Sequence, residues 1–163
     1  MNKNLEINQI NLKKDINYMI LALKKAKISY IKNEVPVGAI IVFENKVIAT
    51  GYNKKDSKND ITAHAEIEAI KKAQKKLGTW RLNNCSLYVT LEPCPMCAGA
   101  IIQSRVSKIV YGAKNNFYGS FGTIIALEKL FPDAKNIEII HDVLSDECSD
   151  LLKKFFSEKR KLK

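Results

Sequence analysis

Two short segments carry side chains that could do chemistry together: Thr62-Ala63-His64-Ala65-Glu66 and Glu92-Pro93-Cys94-Pro95-Met96-Cys97. A Cys-x-x-Cys pair at a helix start sets both sulfurs on one side of the first turn. The partial positive charge of the helix N-terminus lowers thiol pKa there. Two neighbouring thiolates call for a cation, and His64 also stands near a predicted helix start. Two helix N-termini could therefore converge on one metal. One nitrogen and two sulfurs suit zinc. The chain has only 2 histidines, and Cys85 and Cys148 lie outside any ligand spacing. Three protein ligands leave a position for water, which marks a catalytic zinc rather than a structural one. Such a metal brings the pKa of its water close to neutral. Glu66, two residues beyond His64, is placed to take a proton from that water and hand it to a substrate.

Read one at a time, these residues have ordinary accounts. The cysteines could be a redox pair, His64 a plain helix histidine, and Glu66 a solvated carboxylate. The combination is far more specific. His-x-Glu followed, after one strand, by Pro-Cys-x-x-Cys is the established signature of zinc nucleobase deaminases, and the metal role rests on that signature as well as on the donor chemistry. Cys85, Cys148 and Met96 read as packing residues, and His141, at the end of an apolar strand, as a surface residue. The glycines form no phosphate-binding fingerprint.

The elements that must position these groups follow from periodicity and punctuation. Residues 1–12 read as a loose arm. Ile16, Met19, Ile20, Leu23 and Ala26 predict a helix from Asp15 that ends before Pro36. Val37–Phe43 and Lys46–Thr50 predict a hairpin about Glu44-Asn45, and Asn53–Asp60 a polar loop. Thr62 is expected to cap a helix that runs to Leu77 and stops at Gly78. Ser86–Leu91 reads as a strand, and Pro93 or Pro95 opens a helix reaching Ser104. Then come a strand at Ser107–Tyr111, a loop at Asn115–Gly122, a helix at Thr123–Leu130, a strand at Ile137–His141 and a helix at Ser145–Lys159. Alternating helices and strands after a hairpin predict an α/β protein, a mixed sheet with helices on both faces.

At 163 residues the chain is expected to form one domain, with no repeat or linker. No apolar stretch is long enough to cross a membrane, and the N-terminus lacks the apolar core of a secretory signal. With a Cys-x-x-Cys pair this points to a cytoplasmic protein. The net charge of +10 comes almost wholly from lysine. It favours an acidic partner such as nucleic acid, or reflects an AT-rich coding bias.

The sequence resembles the bacterial tRNA-specific adenosine deaminases of the cytidine/deoxycytidylate deaminase superfamily over residues 15–160. The resemblance rests on several blocks beside the metal motif: Glu34-Val-Pro-Val-Gly-Ala, Gly51-Tyr-Asn, Trp80-Arg-Leu, Leu87-Tyr-Val-Thr-Leu-Glu-Pro-Cys, Met96-Cys-Ala-Gly-Ala-Ile, Ser104-Arg105, Tyr111-Gly-Ala and Phe155-Phe156. It implies a three-layer α/β/α cytidine-deaminase-like fold with a five-stranded mixed sheet, and a homodimer carrying one zinc per subunit. It implies hydrolytic deamination, by zinc-bound hydroxide, of the wobble adenosine to inosine in an arginine tRNA, with the tRNA anticodon stem-loop as partner. His64, Cys94 and Cys97 would hold the metal and Glu66 would move protons. Asn53 would hydrogen-bond the purine, with Val35, Pro36 and Ala65 near the base, Leu91 behind it and Phe156 near the anticodon loop. One segment departs from the family: an acidic residue usual after Tyr111-Gly-Ala is Asn115 here, and Phe117 and Tyr118 follow it. In the family that position is expected to meet a ribose 2′-hydroxyl. The competing readings are a deaminase of free bases or nucleotides, of the guanine or cytosine type, and a zinc-stabilised RNA-binding module. Glu66 argues against the last, because a purely structural zinc has no use for it.

Overall fold

The central strands carry apolar residues on both faces, so the sheet they build must be covered on both sides. The computed structural model describes residues 2–161, with side chains from residue 9 onward. Five strands, β1 (Gly38–Phe43), β2 (Lys46–Tyr52), β3 (Cys85–Leu91), β4 (Lys108–Ala113) and β5 (Glu138–Ile140), form one sheet in the order β2-β1-β3-β4-β5. β1 runs antiparallel to β2 and β3, whereas β3, β4 and β5 are parallel. The β1–β2 turn places Glu44 and Asn45 at φ 48° and 60°, the paired positive values a two-residue hairpin needs.

Helices α1 (Asn2–Ile31) and α5 (Ser145–Lys161) cover one face; α3 (Ala65–Leu77) and α4 (Pro95–Gln103) cover the other. Alternation sorts the side chains. Ala39, Ile41, Leu87, Val89 and Ile109 pack against Ala65, Ala69 and Ile101, while Ile40, Val42, Tyr88 and Val110 pack against Met19, Ala22 and Cys148. Asp15, buried on α1, accepts hydrogen bonds from Tyr88 Oη at 2.7 Å and Lys108 Nζ at 3.0 Å, which ties that helix to β3 and β4. Tyr30 donates to Glu158 and packs edge-on against Phe155, docking α5 beside α1 and leaving Phe156 partly exposed. Among the described residues no helix is long and apolar enough to cross a membrane.

The three-layer α/β/α class and the five-stranded mixed sheet agree with the sequence reading. Four local expectations change. Residues 2–12 continue α1 rather than forming a loose arm, since nothing from Asn2 to Ile31 breaks a helix; residue 1 lies outside the described residues. Part of the expected 53–60 loop is a single helical turn, α2 (Lys55–Lys58), whose first N–H groups at Asp56 and Ser57 bond to the buried Glu34 carboxylate at 3.1 and 2.7 Å. Thr62 does not cap α3: its N–H and hydroxyl bond to Asp60 Oδ1 at 2.8 and 2.7 Å, and His64 takes the cap position. The helix expected at Thr123–Leu130 is absent. In this segment and just beyond it the chain makes two three-residue 3₁₀ turns, at Leu127–Lys129 and Pro132–Ala134. The Leu127 N–H, which a helix would aim at the Thr123 carbonyl, bonds instead to Ser120 O at 3.1 Å, while those of Thr123, Ile124 and Ile125 fold back to Glu92 and Gly119.

Gly51 fixes how closely β2 approaches the helix that begins the site. A Cβ there would stand 2.0 Å from the Ala65 carbonyl oxygen and 2.7 Å from the Ala69 nitrogen, both backbone atoms. Gly51→Ala must therefore push α3 away from the sheet. Overpacking of this kind costs ~1–3 kcal/mol, and each kcal/mol moves Tm by ~2–4 °C in a domain of this size. Thermal unfolding should show a fall of several degrees, together with lost activity as His64 and Glu66 are displaced. An unchanged Tm would contradict the packing described.

Candidate active site

The backbone delivers the three metal-type ligands through two helix starts. β2 leads through α2 to His64, which caps α3 in an extended conformation at φ −76°, ψ 156°, its carbonyl accepting from Glu68 N at 3.0 Å. β3 leads through Glu92-Pro93 to Cys94, which caps α4 in the same way at φ −74°, ψ 170°. Pro95 follows at the first helical position, where its missing N–H costs nothing. Cys97 then falls within the first turn of α4. Both segments converge beyond the C-terminal end of β3, where open α/β sheets characteristically bind ligands.

His64 Nδ1 lies 3.7 Å from Cys94 Sγ and 3.4 Å from Cys97 Sγ, and the three atoms all fall within 4.8 Å of one another. It is the one such His/Cys/Asp/Glu group among the described residues. A tetrahedral zinc with its usual bond lengths separates N and S ligands by roughly 3.5 Å. The donor set and the spacing fit zinc. The electrostatics point the same way. The hydrogen bond from Cys97, then the one from His64, lowers the Cys94 thiol to about 4. Cys97 is pushed up by that bond and by burial, and His64 is raised by its bond to Cys94. Two sulfurs and a ring nitrogen are sharing protons where a cation would replace them.

Glu66 sits beside this cluster, only 4% exposed. Burial raises its carboxyl to about 7, partly opposed by its own backbone N–H and by His64. A carboxyl near neutrality can both accept and return a proton. The adjoining cavity has a volume of about 200 Å³ and is lined by Val35, Val37, Asn53, Lys55, His64, Ala65, Glu66, Leu91, Glu92, Cys94, Asn115 and Tyr118. Drug-sized pockets run ~300–1,000 Å³, so this one suits a single ring system. Asn53 is buried; its Nδ2 donates to the Val35 carbonyl at 3.3 Å, and its Oδ1 has no partner among the described residues. An orphaned buried acceptor in a cavity wall is a polar handle for a ligand.

Of the other expected substrate residues, Val35, Ala65, Leu91 and Asn115 line this cavity. Pro36 is buried and does not; Val35 and Val37 on either side do. Phe156 lies further out, in a groove of about 750 Å³ that shares Val35, Leu91, Asn115 and Tyr118 with the cavity. Asn115 behaves differently from the expectation of an outward contact. Its Oδ1 accepts from Phe117 N at 3.2 Å and Tyr118 N at 3.0 Å, and its Nδ2 donates to the Glu92 carbonyl at 3.4 Å. The amide is engaged within its own loop.

Sequence reasoning missed Glu92. Its carboxylate, 1% exposed, accepts from Asn115 N at 3.2 Å, Phe121 N at 3.0 Å and Thr123 N at 3.1 Å, and so holds the whole outer loop of the site. The signal was an acidic residue directly after the expected strand Ser86–Leu91, just before Pro93. Glu68 was also missed. Glu68 is buried and pairs with Lys54 and Lys58 at 3.0 and 2.7 Å, bracing the loop that enters α3.

The sequence profile of the MafB19-like deaminases matches residues 13–160. The tRNA-specific adenosine deaminase of Bacillus subtilis is 45% identical over 146 residues, covering 90% of this chain and 91% of that protein. The chain belongs to the tRNA-specific adenosine deaminase family. A second member, from Buchnera aphidicola subsp. Baizongia pistaciae, is 47% identical and covers 91% of each chain. Among solved structures, one from a study of A-to-I editing by tRNA:A34 deaminases at the wobble position superposes with TM-score 0.79 at 36% identity, covering 83% of this chain and 99% of that one. The guanine deaminase of Nitrosomonas europaea superposes with TM-score 0.75 at 27% identity, covering 87% and 84%. The fold is thus shared by deaminases named for tRNA and for guanine.

Proposed function

We propose that this deaminase hydrolyses the exocyclic amine of the wobble adenosine in a tRNA anticodon loop, giving inosine and ammonia, with arginine tRNA as its substrate. The observation that carries the reading is Glu66: a buried carboxyl beside one nitrogen and two sulfurs, on the wall of a base-sized cavity. Zinc held by His64, Cys94 and Cys97, one per subunit, would supply the Lewis acidity that makes water a nucleophile at neutral pH. Glu66 takes one proton from the attacking water and delivers it to N1 of the purine, then takes the second from the new C6 hydroxyl and passes it to the departing amine. Water adds at C6 and ammonia leaves, so atoms and charge balance. Asn53 Oδ1 accepts a hydrogen bond from the base. Leu91 and Val35 supply apolar contact and exclude water. The target base must leave its stack to enter, which costs least in an anticodon loop, where pairing is already absent. We place the protein in the cytoplasm and expect a homodimer, as the resemblance implies.

The free-base reading gains from the small cavity, which admits a base alone. Against it stand the basic groove outside and the match to tRNA-specific adenosine deaminases along about 90% of this chain. Zinc-loaded protein assayed on an arginine anticodon stem-loop with an ACG anticodon, and on free guanine, cytosine and adenosine, separates the two. Inosine at the wobble position is expected, with no turnover of the free compounds; the converse pattern would move the assignment to free bases.

Charge gives an independent check. Lys114, Lys153 and Arg160 line the outer groove. Each phosphate contact to single-stranded nucleic acid contributes ~0.7 to the slope of log K against log salt. If all three meet phosphates, stem-loop affinity falls with a slope of about −2 or steeper. A flat profile would return the lysine excess to coding bias.

A further inference from the structure

The segment in which this chain departs from its family forms a stiff platform that presents an aromatic ring to solvent. Phe117 is 83% exposed and Tyr118 65% exposed. Both line the outer groove, with Phe156, Lys114, Lys153 and Arg160 also on its walls, and Tyr118 also borders the inner cavity. An apolar side chain so exposed at the tip of a loop is ordinarily mobile. Here the backbone beneath it is pinned. Asn115 Oδ1 accepts from the N–H groups of Phe117 and Tyr118, the Glu92 carboxylate accepts from Asn115, Phe121 and Thr123, and Gly119 N bonds to Asn115 O at 2.9 Å. Gly119 has no room for a side chain: a Cβ would stand 2.4 Å from Glu92 Oε2. A buried carboxylate and a side-chain amide both serve to hold one exposed ring in place.

We propose that Phe117 is a base-stacking platform for a nucleotide of the RNA loop flanking the target adenosine, a specificity element of this chain that rests on the RNA reading given above. The occupant follows from what surrounds the ring. Three cations line the same groove and meet a phosphodiester backbone, while the flat faces of Phe117 and Phe156 suit unpaired bases. Leu91, Ala113 and Leu152 add apolar wall, but every charged residue lining the groove is a cation, which a phosphodiester backbone matches and an apolar protein surface does not. Because the platform joins the catalytic cavity at Tyr118 and Asn115, a base stacked on Phe117 is an immediate neighbour of the one inside.

The test is a cycle between protein and RNA, run on the zinc-loaded enzyme. Stem-loops carrying one abasic nucleotide at each loop position in turn are measured for binding by fluorescence anisotropy, with wild type, Phe117→Ala and Phe117→Trp; inosine formation is followed separately. Zinc content and Tm show that the variants fold. One base–aromatic stack corresponds to roughly 5- to 150-fold in affinity. Phe117→Ala should lose that much, and Phe117→Trp should keep it. At one loop position next to the target, base removal should weaken wild type strongly and Phe117→Ala by less than about twofold, beyond simple additivity. Losses that multiply at every position, or no loss in Phe117→Ala, would overturn the proposal. If the cycle couples yet no inosine forms, the stacking role stands and the wobble-deaminase reading falls. If inosine forms without coupling, the stacking role falls alone. If no stem-loop binds, both fall.

Discussion

Glu66→Ala retains its zinc, its fold and its affinity for an anticodon stem-loop, and loses deamination by at least ~10²–10⁴-fold, the usual contribution of one general acid–base group. Three features of the site lead to this expectation. The carboxyl is buried, and in the metal-free protein burial raises it to about 7, above the ordinary carboxylate range. It lies against the cavity and beside the metal-type cluster but contributes no atom to it. It is also the one acid in the cavity wall that is free to act. Glu92, the other carboxylate there, is engaged by three backbone N–H groups. The loss should exceed the lower figure, because the same group acts on the water, on N1 and on the amine. Glu66→Gln preserves the shape and should be equally inactive, which separates proton transfer from packing. Single-turnover inosine formation, with zinc measured on the same samples, provides the check. A variant that keeps more than about a tenth of wild-type rate, outside the usual range, would show that another group moves the proton.

The metal-type cluster was legible in the sequence because each part is a local pattern. A Cys-x-x-Cys at a proline-marked helix start and a His-x-Glu at another helix start need only the fold to bring the two starts together. The hairpin, strands and most helices carried clear periods; β1 is an unbroken apolar run, and β3 alternates apolar residues with Ser86, Tyr88 and Thr90. The outer loop was not legible. Its shape depends on one carboxylate, Glu92, reaching backbone N–H groups 23 to 31 residues away. No local pattern records such bonds. At Thr123–Leu130 amphipathic spacing misled because the Leu127 N–H, which a helix would aim at the Thr123 carbonyl, bonds back to Ser120. Asn115 shows the same limit. Its position relative to the family's acidic residue suggested an outward contact with ribose, whereas the side chain caps the turn beneath Phe117 and Tyr118. Asp in its place could still accept both N–H bonds, but it would lose the donation to the Glu92 carbonyl and bring a second negative charge close to Glu92.

Cys97→Ala abolishes zinc binding and activity together, and Cys94→Ala does the same. Outer-shell changes at zinc sites already cost ~10–100-fold in affinity or activity, so removal of a direct ligand should exceed that range and leave no measurable zinc after dialysis. Cys97 is fully buried at the start of α4, and no other His, Cys, Asp or Glu side chain among the described residues joins the cluster to replace it. The two single variants should resemble wild-type protein stripped by a chelator, with the difference that added zinc restores only the wild type. The proton balance gives a second readout. In the metal-free protein Cys97 and His64 hold their protons more tightly than free side chains do, through their bonds to Cys94. Metal ligands bind in their deprotonated forms, so zinc must displace those protons. Affinity for zinc should therefore fall as pH falls, and zinc uptake at neutral pH should release protons into weakly buffered solution. Elemental analysis showing full zinc in both alanine variants, or uptake without proton release, would remove the His64–Cys94–Cys97 site as the centre of the chemistry.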